Sequence, residues 1–450
     1  INYFFIEYIS KKKIFYLITL IVFNLSLLFY FKYFDLLFGF MNNTEVKFNE
    51  IIIPLGISFF TFQQIGYLIE VYGEKKNKLN FLQYFAFVVF FPQLIAGPIL
   101  KAQEFFPKLN KSIKYDKVSR NFIIGFIIFF IGLGKKVLIA DNISLYIDDF
   151  YFVADNNVNN INFFESWLSA IGYLFQLYFD FSGYSDMAVG LARMFGLNFP
   201  WNFNSPLKKI SIQSFWNNWH ITLTRFTTSY VFTPLIILLS KYGVNFKITV
   251  LIATFVTFIL IGVWHGAGLN FIIFGLLHAS AYALSKFYSF LINMFNLKFS
   301  ENIILRVFYW MITFLFISFT FVFFRSSNFE SALNITYQML NISSLTFPSY
   351  FSGNSFFLIV KNMMNISLVE SYVFLNNNLI IITLISFLIV IFSPNTKEIS
   401  EYIEKNLFIK KSKQILNHMI FYSFFIFLAF LIISSIFSLN NQVVFLYYQF

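Results

Sequence analysis

Long apolar runs separated by short polar stretches dominate the 450-residue chain. The runs lie near 14–34, 51–71, 81–100, 121–139, 165–181, 229–240 with its flank, 248–264, 269–285, 303–324, 372–393 and 415–438. An apolar helix needs roughly 20 residues to cross a bilayer, and these runs are of that order. They predict an all-α polytopic membrane protein with about ten or eleven helices, some of them re-entrant or interfacial. The segment 325–370, rich in Ser, Asn and Phe, interrupts the pattern and reads as an extramembrane loop with short amphipathic helices. No fixed-period repeat and no soluble module is visible, so 1–450 is read as one integral-membrane domain. The chain opens at Ile1 without Met and without a signal-peptide pattern, so further helices are expected upstream.

Composition strengthens the membrane reading. Hydrophobic residues make up 58% and charged residues only 12%, against about 25% charged in soluble domains. The 70 phenylalanines fit a biased codon usage better than a chemical need. The net charge of +11 is spread over Lys11 to Lys13, Lys75, Lys76 and Lys78, Lys135 and Lys136, and Lys405 to Lys413. Such clusters beside apolar spans read as cytoplasmic loops and lipid-headgroup contacts, not as a nucleic-acid surface. Cysteine is absent, which excludes disulfides, thiolate metal sites and a cysteine acyl-enzyme.

Four segments put polar or helix-breaking residues where lipid is expected. Between Lys247 and Lys286 there is no Asp, Glu, Lys or Arg, yet the middle reads Gly262-Val263-Trp264-His265-Gly266-Ala267-Gly268. The glycines divide two spans and permit close backbone approach, and an imidazole there is either a satisfied core group or a functional one. His278 follows in the second span. The segment Phe90-Phe91-Pro92-Gln93-Leu94-Ile95-Ala96-Gly97-Pro98 cannot hold a continuous helix. It reads either as a broken helix lining a cavity or as a kinked end at the interface.

The third segment is Tyr178-Phe179-Asp180-Phe181-Ser182-Gly183-Tyr184-Ser185-Asp186. Six residues apart on a helix, Asp180 and Asp186 face different ways and make a poor acid/base couple. They read first as structural groups that satisfy backbone donors or pair with Arg193 or Arg225. In the fourth segment Trp216, Trp219, His220 and Leu223 fall at helical spacing. That spacing predicts an aromatic face on a short helix at the membrane boundary. Taken alone, His220 reads as a hydrogen-bonded packing residue or as a second catalytic histidine. No phosphate-binding glycine loop, no metal-ligand spacing and no Gly-x-Ser-x-Gly elbow is present. Any chemistry therefore falls to histidine acting as a base, with no metal.

The Gly262-Val263-Trp264-His265-Gly266-Ala267 block resembles the signature of the membrane-bound O-acyltransferases. The resemblance is to the bacterial branch acting on alginate, peptidoglycan and, by D-alanyl transfer, teichoic acids. Further blocks match in the same order: Pro54 to Gln63, Phe91 to Ile99, Phe179 to Ala188, Phe215 to Leu223, and Phe323-Phe324-Arg325. Together they cover about residues 15–335. The resemblance implies a ring of membrane helices around a central tunnel. It implies His265 as the essential residue and His220 as a second catalytic position. It also places Trp264, Trp219, Gln93, Asp180, Asp186, Tyr184, Arg225 and His278 along the substrate tunnel.

The chain departs from the commoner family pattern after His220. It reads Thr227-Thr228-Ser229-Tyr230-Val231-Phe232-Thr233-Pro234 where Arg-Asp before Tyr, and a Gly-Gly-Asn-Arg loop after Pro, are usual. What the resemblance implies is a multi-pass protein of the bacterial cytoplasmic (inner) membrane with no bound cofactor. It would move an acetyl group from a cytosolic donor such as acetyl-CoA to an envelope polysaccharide acceptor, through a separate periplasmic acetyltransferase partner. D-alanyl transfer to teichoic acid on the same fold is the nearest alternative. A non-enzymatic transporter using His265 as a proton relay is a more distant one, since transporters usually carry charges in their spans.

Overall fold

The computed structural model describes residues 1–11, 13–42, 54, 56–73, 78–94, 97–109, 115–156, 161–266, 268–295, 302–342, 346–348, 367–369, 377–409 and 428–438. The expectations for Lys75, Lys76, Ile95, Ala96, Ala267 and most of 343–376 and 410–427 fall outside the described residues. The N-terminal third contains α1 (Asn2–Ser10), α2 (Ile14–Asn42), α3 (Ile57–Gly73), α4 (Phe81–Val89), α5 (Phe91–Leu94) and α6 (Ala102–Leu109). Next come α7 (Tyr115–Gly134), a π-helical stretch (Lys135–Ala140), α8 (Asp141–Asn156) and α9 (Phe163–Met194). The short α10 (Ile212–Trp216) and α11 (Ile221–Thr227) lead through a π turn into α12 (Thr233–Lys241). Then follow α13 (Phe246–His265), α14 (Leu269–Met294), α15 (Ile303–Arg325), α16 (Phe329–Leu340), α17 (Asn377–Phe392) and α18 (Thr396–Ile403).

This is an all-α polytopic architecture. Its one extended pairing among the described residues is a parallel match of β1 (Thr346–Pro348) with β2 (Ser367–Val369). Among the described residues six helices are long and apolar enough to cross a bilayer. They are Ile14–Phe34, Val118–Asn156, Ile221–Lys241, Phe246–His265, Leu269–Met294 and Ile303–Arg325. A seventh is formed if Asn378–Phe392 and Thr396–Asn406, bent by 50°, make one span. The run expected near 81–100 is broken. Helix α4 ends at Val89, Phe90 is extended, and α5 lasts 4 residues. The buried Gln93 side chain turns back, its Nε2 donating to the Phe87 carbonyl at 2.5 Å, one of the acceptors that the break frees.

Helix α9 is the axis. Its 32 residues give a length of about 48 Å, well beyond a hydrocarbon core of about 30 Å. It is buried along most of its length, against α7, α8, α15, α16 and α17. Its pairing with α7 depends on two glycine pairs. A Cβ on Gly132 would lie 2.5 Å from the Gly183 carbonyl, and one on Gly125 would lie 2.5 Å from that of Gly190. Pairing 125 with 190 and 132 with 183 makes the two helices antiparallel with their backbones in contact, the arrangement that small residues permit in membranes.

The lysines beside this contact are not in a headgroup loop. Lys135 binds Asp186 at 2.7 Å, while Lys136 binds Asp141 at 2.6 Å and Asp180 at 2.8 Å. All five groups are largely buried, and Thr396 on α18 donates to Asp186 at 2.6 Å. Two expectations are corrected here. Lys135 and Lys136 serve as counter-ions inside the fold, and the partners of Asp180 and Asp186 are these lysines. Arg193 and Arg225 go instead to Glu404 and Glu104. The physical reason is depth: a carboxylate on a buried helix needs a cation on the helix packed against it, and the π stretch after α7 presents two consecutive ones.

Candidate active site

Helices α13 and α14 form a hairpin whose bend carries His265. A Cβ on Gly262 would lie 2.2 Å from the Phe271 carbonyl, and one on Gly275 would lie 2.5 Å from the Phe258 carbonyl. The two helices thus touch through backbone. Gly266 then leaves the helix in an extended conformation, and its missing side chain makes room for the Phe271 ring, 2.0 Å from an ideal Cβ. The hairpin therefore ends with Trp264 and His265 on the last turn of α13, both buried. The imidazole of His265 lies 4.6 Å from the Trp264 ring and 4.8 Å from Phe324, centroid to centroid. Phe324 is held in place by Asn270, whose Nδ2 donates at 3.0 Å to the carbonyls of Phe323 and Ser326.

His220 reaches the same place from another part of the chain. The single aromatic helix expected over 216–223 is interrupted. Helix α10 stops at Trp216, α11 starts at Ile221, and His220 between them has φ 41° and ψ 54°. Trp216 and Trp219 are both buried in the core. A left-handed backbone at a non-glycine residue is uncommon and needs support from its surroundings. Asn202 supplies it. Its carbonyl accepts from the Ile221 amide at 2.9 Å, and its Oδ1 accepts from Thr222 Oγ1 at 2.6 Å. The Thr222 hydroxyl in turn accepts from the Ile99 amide at 3.0 Å, joining this turn to the end of the broken Phe90–Pro98 segment.

The result is a buried aromatic cluster that includes two imidazoles, termed the chamber. The His220 ring packs edge-on to Phe181 at 4.6 Å and lies 6.3 Å from the Trp264 ring. Trp264 stacks on Phe62 of α3 at 5.3 Å. Both ring nitrogens of His220 are buried without a hydrogen-bond partner among the described residues. Both nitrogens therefore keep hydrogen-bonding capacity that a hydroxyl or water could use.

The remaining sequence-derived positions divide. Trp219 stacks on Phe215 at 5.3 Å and meets Phe203 at 5.1 Å, next to the chamber. His278 is buried with both nitrogens engaged: Nδ1 accepts from Trp216 Nε1 at 3.2 Å and Nε2 pairs with Thr320 Oγ1 at 3.0 Å. Tyr184 is half-buried on α9 beside the main core, and Asp180 and Asp186 belong to the lysine knot. Arg225 holds Glu104 through two contacts of 2.8 and 2.9 Å. That pair lines a cavity of about 420 Å³ with Gln103, Pro107, Asn198, Phe199 and Pro200. The departure at 227–234 lies in the continuous helix from Ile221 to Lys241. Among the described residues no group of three or more His, Cys, Asp or Glu gathers as a metal site would.

Sequence reasoning missed Lys32, Tyr33, Asn202 and Asn270. Only Lys32 carried a signal, as a lone charge within an apolar span. The asparagines act by hydrogen bonds to chain segments remote in sequence, which no local pattern announces.

Comparison with known proteins gives this chamber a context. Over 367 residues the chain is 38% identical to a peptidoglycan O-acetyltransferase of Helicobacter pylori, covering 75% of this chain and 66% of that protein. It is 36% identical over 325 residues to a probable alginate O-acetylase of Pseudomonas aeruginosa, covering 70% and 58%. A teichoic acid D-alanyltransferase of Bacillus subtilis is 31% identical over 234 residues, covering 51% and 58%. The chain thus spans between about half and two thirds of the length of these relatives. The family model for membrane-bound O-acyltransferases matches residues 3–326, an interval that contains every element of the chamber, and the chain belongs to that family.

Proposed function

We propose that this chain is a membrane O-acyltransferase that moves an acetyl group from a cytosolic thioester, such as acetyl-CoA, toward an envelope polysaccharide. The observation that carries the reading is the convergence of His220 and His265 on one buried indole, with both His220 nitrogens unpartnered among the described residues. Similarity to a peptidoglycan O-acetyltransferase and to alginate O-acetylases supports acetyl as the group and polysaccharide as the final acceptor.

A thioester is already activated, so the task is to make a hydroxyl nucleophilic where water does not compete. Neutral His265 takes the hydroxyl proton as its oxygen attacks the thioester carbonyl. The tetrahedral intermediate collapses, the C–S bond breaks, and the thiolate leaves and is protonated. General-base help of this kind contributes about 10²–10⁴-fold. His220 orients the hydroxyl or shares its proton. The aromatic walls from Phe181, Trp264 and Phe324 exclude water. In this reading the protein works in the bacterial cytoplasmic membrane and hands the acetyl group to a separate extracytoplasmic transferase.

A second reading, D-alanyl transfer to teichoic acid, is favoured by the similarity to the Bacillus subtilis protein. Envelope preparations containing the chain together with the extracytoplasmic transferase, supplied with acetyl-labelled acetyl-CoA in one arm and a D-alanyl thioester in the other, separate the two. Label passing to an envelope polysaccharide only from acetyl-CoA is expected. Label passing only from the D-alanyl donor would replace the first reading with the second.

A further inference from the structure

The three carbonyls at the end of α13 have an unexpected set of partners. A helix leaves its last carbonyls without intrahelical donors, and at membrane depth each needs a partner from elsewhere. The Gly262 carbonyl still accepts from Gly266 at 3.4 Å. The carbonyls of Val263, Trp264 and His265 close the helix after it. All three are satisfied by two consecutive residues of α2, more than two hundred positions earlier. Tyr33 donates its hydroxyl to the Val263 carbonyl at 2.5 Å. Lys32 Nζ donates to the Trp264 carbonyl and, at 3.0 Å, to the His265 carbonyl. The same ammonium lies 6.0 Å from the centroid of the Trp264 ring.

From this geometry we propose that Lys32 and Tyr33 are positioning residues for the reaction, clamping the carbonyl end of α13 so that the His265 imidazole faces the chamber. The inference rests on the reading of His265 as the base. The charge has the right sign, since a cation is favoured at the negative end of the helix dipole. The cap is also specific. Packing on Phe271 and Phe324 holds the side of this turn, and the bonds from α2 hold its carbonyl end, so their loss loosens the last turn of α13. Loosened, it would move the imidazole by an ångström or more. A displacement of about 1 Å of a reacting group costs on the order of 10²-fold in rate. Lys32 touches main-chain atoms of the site, so its effect runs through His265.

The test uses the full chain in lipid vesicles, with labelled acetyl-CoA and the acceptor, and rates normalised to folded protein. Lys32→Met is expected to lower kcat about 10²-fold with KM for acetyl-CoA unchanged. Lys32→Arg, which keeps the charge and the donors, is expected to recover much of it. A second readout needs no transfer: carbethoxylation of His265 by diethyl pyrocarbonate, followed on the His265 peptide by mass spectrometry, should change severalfold in Lys32→Met. If Lys32→Met does not fold, Tyr33→Phe removes only the Val263 contact and should give a smaller change in both readouts. Wild-type kcat together with wild-type His265 reactivity in a folded variant overturns the inference. Altered reactivity with wild-type transfer keeps the clamp and overturns the role of His265 as base.

Discussion

Two buried polar regions lie along α9, and they are built on opposite rules. Toward its C-terminal half, Asp180 and Asp186 meet Lys136 and Lys135, with Asp141 and Thr396 completing the set. Every charge there has a partner of opposite sign or a donor. On the other side of Phe181, His220 lies buried with neither ring nitrogen bonded among the described residues, and His265 lies beyond Trp264. The first region is polar because it fastens helices together. The second is polar at a cost to stability that packing alone does not explain. Sequence reasoning weighed both by residue type, yet what separates them is whether the polar atoms are satisfied.

Substitutions can break this comparison. The largest expected effect is in the knot, where Asp186→Ala leaves Lys135 buried without its counter-ion. A loss of about 3–5 kcal/mol is expected, read as a fall in the thermal unfolding midpoint in detergent. Lys135→Met combined with Asp186→Leu should recover most of it, because no charge is then left unpaired. In the chamber the pattern reverses. Asn tolerates the left-handed backbone at 220, so His220→Asn should lower transfer by roughly 10²-fold, within the range for general acid–base help. The unfolding midpoint should stay unchanged. A drop in stability with normal transfer would place His220 with the knot.

His278 sharpens the contrast because it is a buried imidazole with both ring nitrogens engaged. His278→Phe removes the acceptor for Trp216 Nε1, while Thr320 keeps its bond to the Ile317 carbonyl at 2.9 Å. About 1–2 kcal/mol of stability should be lost, with acyl transfer per folded molecule unchanged. The smallest effect is expected for Asn202→Ala, which removes the bond from Thr222 Oγ1 but leaves the carbonyl contact to Ile221. A loss of roughly 1 kcal/mol and a several-fold slower transfer should follow, as the His220 backbone loosens.

The membrane class and the hairpin around His265 were legible because apolar length and glycine placement are local signals. The spans at 248–264 and 269–285 correspond to α13 and α14, and the flanking glycines do permit backbone contact. The break at Phe90–Pro98 was legible for the same reason, since proline acts on its own turn. What was not legible depended on pairs distant in sequence. Lys135 and Lys136 looked like a loop cluster because nothing local shows that α7 meets α9 through Gly125, Gly132, Gly183 and Gly190. The spacing of Trp216, Trp219, His220 and Leu223 suggested one helix. The tie from Asn202 to Ile221 and Thr222 instead holds His220 in a left-handed turn and ends that periodicity.

The most direct measurement compares acetyl transfer from labelled acetyl-CoA by the wild type and by His265→Ala, in vesicles carrying equal amounts of folded protein. The account predicts a loss of about 10²–10⁴-fold with the unfolding midpoint maintained. Transfer by the variant at the wild-type rate would contradict it.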